Sequence, residues 1–388
     1  MRIVITWGAT IALFLALPAA DARDTDIDAL RAEVEALRAD YEARITELER
    51  RLAVAEQNAA QATYAAQQAQ AVPAAPAVPT ARPPARSGAA FNPDIGVVFQ
   101  GQLRGIDGEA DEEEGFAVGE TEFIASANVD DKFTAYLTAA FAYEDGESAL
   151  EVEEAWVETT ALPAGFSARF GRMFSGIGYL NAKHSHTWDF ADQALPYQAF
   201  LDGRYVDNGV QVRWLAPTDL YLELGGEIMQ GEDDPSGLGA SSVFTNVGGD
   251  VGASHSWLAG ASYLDLDATT SLSMAHFVWK WAPQGNWKER NFVFQTEYLE
   301  RRDSSTETGW YAQAVYQPIQ RWRFGARAER LDLDGDDPRR YTVMMDWSNS
   351  EFSRLRLQFA RSESAIDDGN QWGLQYIHSI GAHGAHTF

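Results

Sequence analysis

From residue 91 to the C-terminus, apolar and polar residues alternate in short runs, and this alternation restricts the fold more than any other feature. In residues 321–330, Arg321, Arg323 and Arg327 alternate with apolar side chains such as Trp322 and Phe324. Successive side chains of a β-strand point to opposite faces, so a period of two is typical of half-buried strands. Clusters of Gly, Asp, Pro and Ser separate the runs, which indicates turns between the strands. The segment therefore predicts an all-β, antiparallel structure.

Alternation alone fits either a soluble β-sandwich or a transmembrane barrel, and three further features favour the barrel. First, the start of the chain predicts a secretory signal, and the chain contains no cysteine. Second, 11 of the 12 Trp lie beyond residue 90. Third, the last residue is Phe388, the kind of terminal aromatic that the barrel-assembly machinery reads. At about 36 residues per hairpin, residues 91–388 predict about 16 strands, within a range of roughly 12 to 18. A barrel of that width holds water.

Residues 1–90 predict three segments that precede the barrel. Residues 1–22 have a positive start, an apolar stretch and a small-residue cleavage site, as in a signal peptide. Residues 23–58 repeat apolar residues at steps of three and four, which predicts an α-helical coiled coil and a homotrimer. The alternative is a helix that packs on its own domain. Residues 59–90 are an Ala/Pro-rich linker. We expect the barrel in the lipid of the bacterial outer membrane and the coiled coil in the periplasm.

Charge narrows the range of partners. The net charge is −27, and residues 91–388 carry 46 acidic and 21 basic groups. This excess argues against nucleic acid, whose phosphates bind basic surfaces, and favours a preference for cations over anions. Inward-facing charges are candidates for lining the pore and setting a field across it: Arg321, Arg323, Arg327, Arg354, Arg356, Glu120, Glu122 and Glu297. The alternative is that these charges pair with each other and stiffen the wall.

Histidines form the candidate metal sites. Five of the seven fall in two clusters: His184 and His186, then His378, His383 and His386. If residues 184–186 lie on a strand, both imidazoles share a face, and zinc accepts imidazole and carboxylate ligands. In the alternative, the histidines are polar residues without metal. No cofactor is required, and zinc is the candidate bound or transported ion.

Several motifs carry a resemblance to known families. They include residues 91–101, 152–156, 178–186, 350–356 and 379–386. In these the chain is similar to bacterial outer-membrane proteins labelled zinc-regulated TonB-dependent receptors. In its layout of signal, coiled coil, linker and acidic barrel, it also resembles trimeric porins with an N-terminal coiled-coil extension. The resemblance implies an outer-membrane barrel connected with zinc supply.

The function predicted from the sequence is a passive, porin-like channel for small solutes, cation-preferring and serving zinc acquisition, and not an enzyme. One alternative is a TonB-linked, receptor-type zinc transporter, which needs about 22 strands and a plug domain. A second alternative is an outer-membrane barrel hydrolase built around Ser185, which lies between His184 and His186.

Overall fold

The computed structural model describes residues 93–107, 115–144, 147–159, 161–231, 238–267, 269–364 and 368–381. The predicted signal peptide, coiled coil and linker lie outside these residues, as do His383, His386 and Phe388. The predicted barrel, residues 91–388, contains all the described ranges.

Strands make up most of the described chain. In order they are β1 (Asp94–Asp107), β2 (Gly115–Val118), β3 (Thr121–Asn128), β4 (Phe133–Glu144), β5 (Glu147–Thr159), β6 (Phe166–Phe174), β7 (Val206–Leu215), β8 (Tyr221–Met229), β9 (Ala240–Val251), β10 (His255–Asp265), β11 (Ser271–Trp281), β12 (Asn291–Arg302), β13 (Thr306–Ile319), β14 (Trp322–Asp332), β15 (Arg339–Ser350), β16 (Ser353–Glu363) and β17 (Gly369–Gly381). One α-helix, α1 (Leu195–Leu201), lies between β6 and β7. Within the described ranges, no helix is both long and apolar enough to cross a membrane.

The strands form one closed antiparallel sheet. From β3 onward each strand pairs with the next along the chain, and β17 pairs with β1 from Gly96–Gly381 to Asp107–Asn370. Strands β2 and β3 both pair with β1, at Gly101–Arg104 and Asp94–Val98, so they are one strand interrupted at residues 119–120. The 17 segments therefore fill 16 positions of the barrel. The prediction of an antiparallel barrel of about 16 strands is confirmed.

The faces of the strands are inverted relative to a soluble protein. In β15 the buried residues include Arg340, Thr342 and Asp346, whereas the exposed ones include Tyr341 and Trp347. Polar side chains thus face the lumen and apolar ones face outward, which is the pattern of a barrel surrounded by lipid. The same exposed apolar face recurs on the other strands: Phe123, Phe170, Val212, Phe277, Tyr298, Phe324 and Phe359 are all exposed.

Residues 175–205, between β6 and β7, fold into the lumen, and we call them the inserted loop. Its apolar residues, such as Ile177, Leu180 and Tyr197, pack against Leu264 and Leu299 of the barrel wall in the largest apolar cluster. Burying each such side chain stabilises the folded state by about 1.5–3 kcal/mol. The inserted loop therefore has its own core, shared with the wall from β10 to β14.

Candidate functional site

Two wall glutamates anchor the inserted loop. Glu297 of β12 accepts hydrogen bonds from the backbone N–H groups of Tyr179 (2.8 Å) and Leu180 (3.1 Å) and from the hydroxyl of Tyr197 (2.9 Å). The hydroxyl of Tyr311 also donates to it. Glu227 of β8 accepts a bond of 2.8 Å from the Gly176 N–H at the start of the loop. Hydrogen bonds to a charged group are worth about 1.5–3 kcal/mol each, so these carboxylates hold the loop against the wall.

Ion pairs fix the middle of the inserted loop to β14 and β15. Asp189 pairs with Arg323, and the carboxylate of Asp192 lies 2.8 Å from Arg327 and 3.0 Å from Arg340. Burial alone would raise the pKa of Asp192, but these two guanidinium groups hold it at about 2. The loop therefore supplies the counter-charges for wall arginines.

The predicted pore-lining arginines occupy two kinds of place. Four of them face inward but are covered by the inserted loop or by Asp346: Arg323, Arg327, Arg354 and Arg356. Arg356, for example, donates hydrogen bonds to the Trp188 carbonyl (2.8 Å) and to Asp346. Arg321 lies in the turn before β14, with φ of 76°, and is exposed. Arg323 and Arg327 pair with carboxylates of the loop and also with the wall carboxylates Asp346 and Glu329. The acidic partners, Asp189, Asp192, Asp346 and Glu329, are not the predicted glutamates.

Open space remains between the inserted loop and the opposite wall. A cavity of about 550 Å³ is lined by residues of the loop and of strands β1, β2, β15, β16 and β17. Its polar lining is dominated by amides: Gln100, Gln102, Gln193, Gln198, Gln358, Gln371 and Gln375. The same lining holds two acidic residues, Glu120 and Asp192, and two basic residues, Arg104 and Arg340, so its formal charges are balanced. Of the predicted pore-lining residues, Glu120 lines this cavity, whereas Glu122 and Glu297 are buried.

A carboxylate–histidine cluster lies beside this cavity. Nδ1 of His184 is 3.4 Å from Oε2 of Glu122 and 3.4 Å from Oε2 of Glu153. The imidazoles of His184 and His186 stack with centroids 5.8 Å apart, and His186 Nδ1 is 2.9 Å from Oε1 of Glu122. Glu122 and Glu153 are buried, and the side chain of His184 is 12% exposed. The structure therefore brings the first predicted histidine pair together with carboxylates.

The premise that residues 184–186 lie on a strand is wrong. His184 precedes a single 3-10 turn, Ser185–Thr187, in the inserted loop. The two imidazoles converge because this turn reverses the chain, and strand alternation plays no part. Of the second histidine cluster, His378 shares the face of Tyr376 on β17 and stacks on it, with Nδ1 3.2 Å from its hydroxyl.

A β-bulge supplies the second carboxylate of the cluster. In β5, Glu154 pairs with Thr138 and Val152 with Ala139, so Glu153 is an extra residue in the ladder. Bulges re-aim side chains, and here Glu153 and its neighbour Glu154 are both buried. The sequence did not mark Glu153 and Glu154, since strict alternation would send one of two consecutive glutamates outward. It did not mark Arg204 either, which lies in the inserted loop, outside any strand.

His184 is charged in the protein without metal. Burial alone would lower its pKa, but hydrogen bonds to Glu153 and Glu154, together with the charge of Glu122, raise the pKa of His184 to about 10. A ligating ring nitrogen must be free of its proton, so a metal ion at Nδ1 would replace this proton.

The predicted hydrolase constellation is not supported by the contacts of Ser185. Its hydroxyl accepts a hydrogen bond of 2.8 Å from the Gln100 amide and lies 3.4 Å from Oε1 of Glu122. A serine nucleophile needs a base within hydrogen-bond reach, and the imidazoles of His184 and His186 are instead directed at glutamates.

Solved structures share this fold. A loop L8 deletion mutant of OmpT, an outer membrane protein of Vibrio cholerae, superposes with a TM-score of 0.55 at 13% identity, over 75% of this chain and 100% of that one. The trimer form of OmpT gives 0.53 at 12% identity, over 74% and 99%. An anion-selective porin from Comamonas acidovorans gives 0.51 at 11% identity, over 74% and 99%. The fold is thus that of the outer-membrane β-barrels that include porins.

The sequence adds one relative at a higher level of identity. No protein-family model matches the chain. It is 30% identical to an uncharacterised protein of Aquifex aeolicus (strain VF5), over 76% of this chain and 75% of that protein, and it belongs to the same family.

Proposed function

We propose that this protein is a passive channel of the bacterial outer membrane for small polar solutes. The observation that carries the proposal is the closed 16-position barrel, polar inside and apolar outside, with a cavity of about 550 Å³ beside the inserted loop. Barrels of 16 to 18 strands leave an aqueous path through the lumen. The porin-like fold supports the same function and location, whereas an alternative TonB-linked receptor would need about 22 strands.

The lining of the cavity favours solutes that exchange hydrogen bonds. Seven glutamine side chains offer both donors and acceptors, and the two acidic and two basic residues offset each other. A lining of this kind can replace the hydration water of a polar solute, so the free-energy cost of entry is small for solutes of either charge.

Cation preference is then set at the mouth of the barrel. Residues 91–388 carry 46 acidic and 21 basic groups. Exposed aspartates such as Asp267, Asp332 and Asp334 lie at the end of the barrel opposite the start of β1 and the end of β17. A ring of negative charge raises the local concentration of cations. Because exposed charges are screened over about 10 Å at 0.1 M salt, we expect the preference to weaken in concentrated salt.

Reversal potentials in planar bilayers test both parts of this proposal. In a potassium chloride gradient the purified protein should conduct, with potassium preferred over chloride and the preference decreasing as salt rises. The triple change Asp267→Asn, Asp332→Asn and Asp334→Asn should reduce the preference while leaving the conductance in 1 M salt close to that of the wild type. A preference for chloride would contradict the cation selectivity, and an absence of conductance would contradict the channel.

The predicted trimer and the zinc connection belong to this proposal as well. The apolar stripe of residues 23–58 supports a coiled-coil trimer in the periplasm, and OmpT, which shares the fold, is known in a trimer form. Zinc supply is supported by the carboxylate–histidine cluster in the lumen, which provides ligands of the type that zinc accepts.

A further inference from the structure

We propose that Glu122, Glu153 and His184 bind a divalent transition-metal ion of the zinc class in the lumen wall. One ligand atom from each of the three side chains lies within 4.8 Å of the other two. The atoms that converge are Oε2 of Glu122, Oε2 of Glu153 and Nδ1 of His184. All three are buried, and none forms a hydrogen bond of regular geometry within the described part of the chain; Nδ1 faces the two carboxylate oxygens at 3.4 Å. Buried polar atoms without regular hydrogen bonds are costly, and a cation that replaces the proton on Nδ1 would contact all three at once.

Each ligand is oriented through its other polar atom. Nε2 of His184 lies 3.0 Å from Oε2 of Glu154, and Oε1 of Glu153 lies 2.6 Å from Arg204. Oε1 of Glu122 lies 2.9 Å from Nδ1 of His186. A carboxylate behind a ligating imidazole fixes the ring and its tautomer, as around zinc in many proteins. The outer contacts therefore hold the ligands and leave the three facing atoms available for the ion.

The local charge also favours a cation. Four glutamates, Glu120, Glu122, Glu153 and Glu154, surround the cluster, and the guanidinium of Arg204 pairs with two of them, Glu120 at 3.4 Å and Glu153 at 2.6 Å. A divalent ion would offset the carboxylates that Arg204 does not. The lumen provides its entrance, because His184 is partly exposed and the adjacent Ser185 and Glu120 line the open cavity.

The donor set selects the class of ion. Calcium and magnesium prefer oxygen ligands alone, whereas zinc and neighbouring transition metals accept imidazole together with carboxylates. Three protein ligands leave a fourth position for water, as in open zinc sites. The ligands come from β3, β5 and the inserted loop, so the ion would also tie the loop to the wall.

Calorimetry on the full-length protein in detergent, freed of metal with a chelator, tests the site directly. At pH 7.5, zinc chloride should bind at one site per chain, and calcium chloride should not compete. His184→Ala and Glu153→Gln should each weaken zinc binding by at least about tenfold, since even residues behind the ligands contribute 10–100-fold. His255→Ala, at the start of β10 and stacked on Trp279, is the matched control and should bind like the wild type.

A second readout separates loss of the site from loss of folding. Cobalt(II) bound at the site should give visible absorption bands that both ligand variants lose and His255→Ala keeps, while circular dichroism shows the same strand content in all proteins. If the wild type binds no zinc, or if His184→Ala and Glu153→Gln bind it as the wild type does, the proposal is overturned. Bilayer conductance in metal-free salt tests the channel independently of this result.

Discussion

Gly178 is the residue on which the path of the inserted loop depends most. Its φ is +59°, a left-handed conformation that side chains with a Cβ adopt at a cost, and an added Cβ would overlap the hydroxyl of Tyr197. The same Cβ would lie 2.6 Å from Met274 and 2.8 Å from Oε2 of Glu297. A larger residue here therefore competes with the anchor of the loop.

We expect Gly178→Ala to lower the free energy of unfolding by about 2–5 kcal/mol, from backbone strain of about 1–2 kcal/mol and overpacking of about 1–3 kcal/mol. Gly373→Ala is the control, because a Cβ on Gly373 of β17 would meet no atom within 4 Å. Urea titration followed by tryptophan fluorescence measures both. Equal stability of the two variants would show that the loop adjusts around position 178 without cost.

At the residue scale, the sequence alone identifies only part of the carboxylate–histidine cluster. Residue type and spacing in the sequence mark His184 and His186, whereas Glu122 is predicted as an inward-facing charge of the wall and not as a partner of the histidines. Glu153 could not be predicted, because its inward direction depends on a bulge that adds one residue to β5 opposite Thr138 and Ala139. The partners of the arginines, Asp189 and Asp192, lie in a loop whose fold no periodicity encodes, so their pairing required the structure.

At the scale of elements, the inserted loop divides the lumen into a packed half and an open half. Its apolar residues fill the side of β10 to β14, and the cavity lies on the side of β1, β16 and β17. Strand alternation predicted the barrel because the apolar and polar faces of each strand can be identified from the sequence of that strand alone. It did not predict this loop, whose apolar residues have no regular period and whose wall partners, such as Leu264 and Leu299, are inward exceptions to the polar lining.

The Glu297 anchor gives a prediction for the loop as a whole. Four hydrogen-bond donors surround this carboxylate. In Glu297→Gln one carboxylate oxygen becomes an NH₂ group, which is itself a donor and would therefore face at least one of these donors without a hydrogen bond. We expect the loop to leave the wall more often, which single-channel recordings should show as larger and noisier conductance. Glu300→Gln on the same strand, where Glu300 pairs with Arg302 and is 22% exposed, should conduct like the wild type. Identical traces from both variants would mean that Glu297 does not hold the loop.

For the whole molecule, the distribution of polarity explains why the barrel needs a membrane, and it is also the basis of the proposed trimer. The outward apolar face requires lipid, and the polar lumen requires water, so the barrel satisfies both only when it spans a bilayer. The apolar stripe of residues 27–41 is too narrow to act as a membrane-facing surface. Because its residues recur at a/d spacing, the stripe is best buried against copies of itself.

Disrupting the stripe should therefore disassemble the protein while the barrel stays folded. Leu30→Asp with Leu37→Asp places two charges at d positions, and we expect trimers in the wild type but monomers in this variant on dilution, because buried unpaired charges are costly. Ala32→Asp with Ala39→Asp adds the same charge at outward positions and should stay trimeric. Light scattering after size-exclusion chromatography in detergent gives the masses. Monomers in the wild type would exclude the trimer, and trimers in the Leu30/Leu37 variant would assign assembly to the barrel wall.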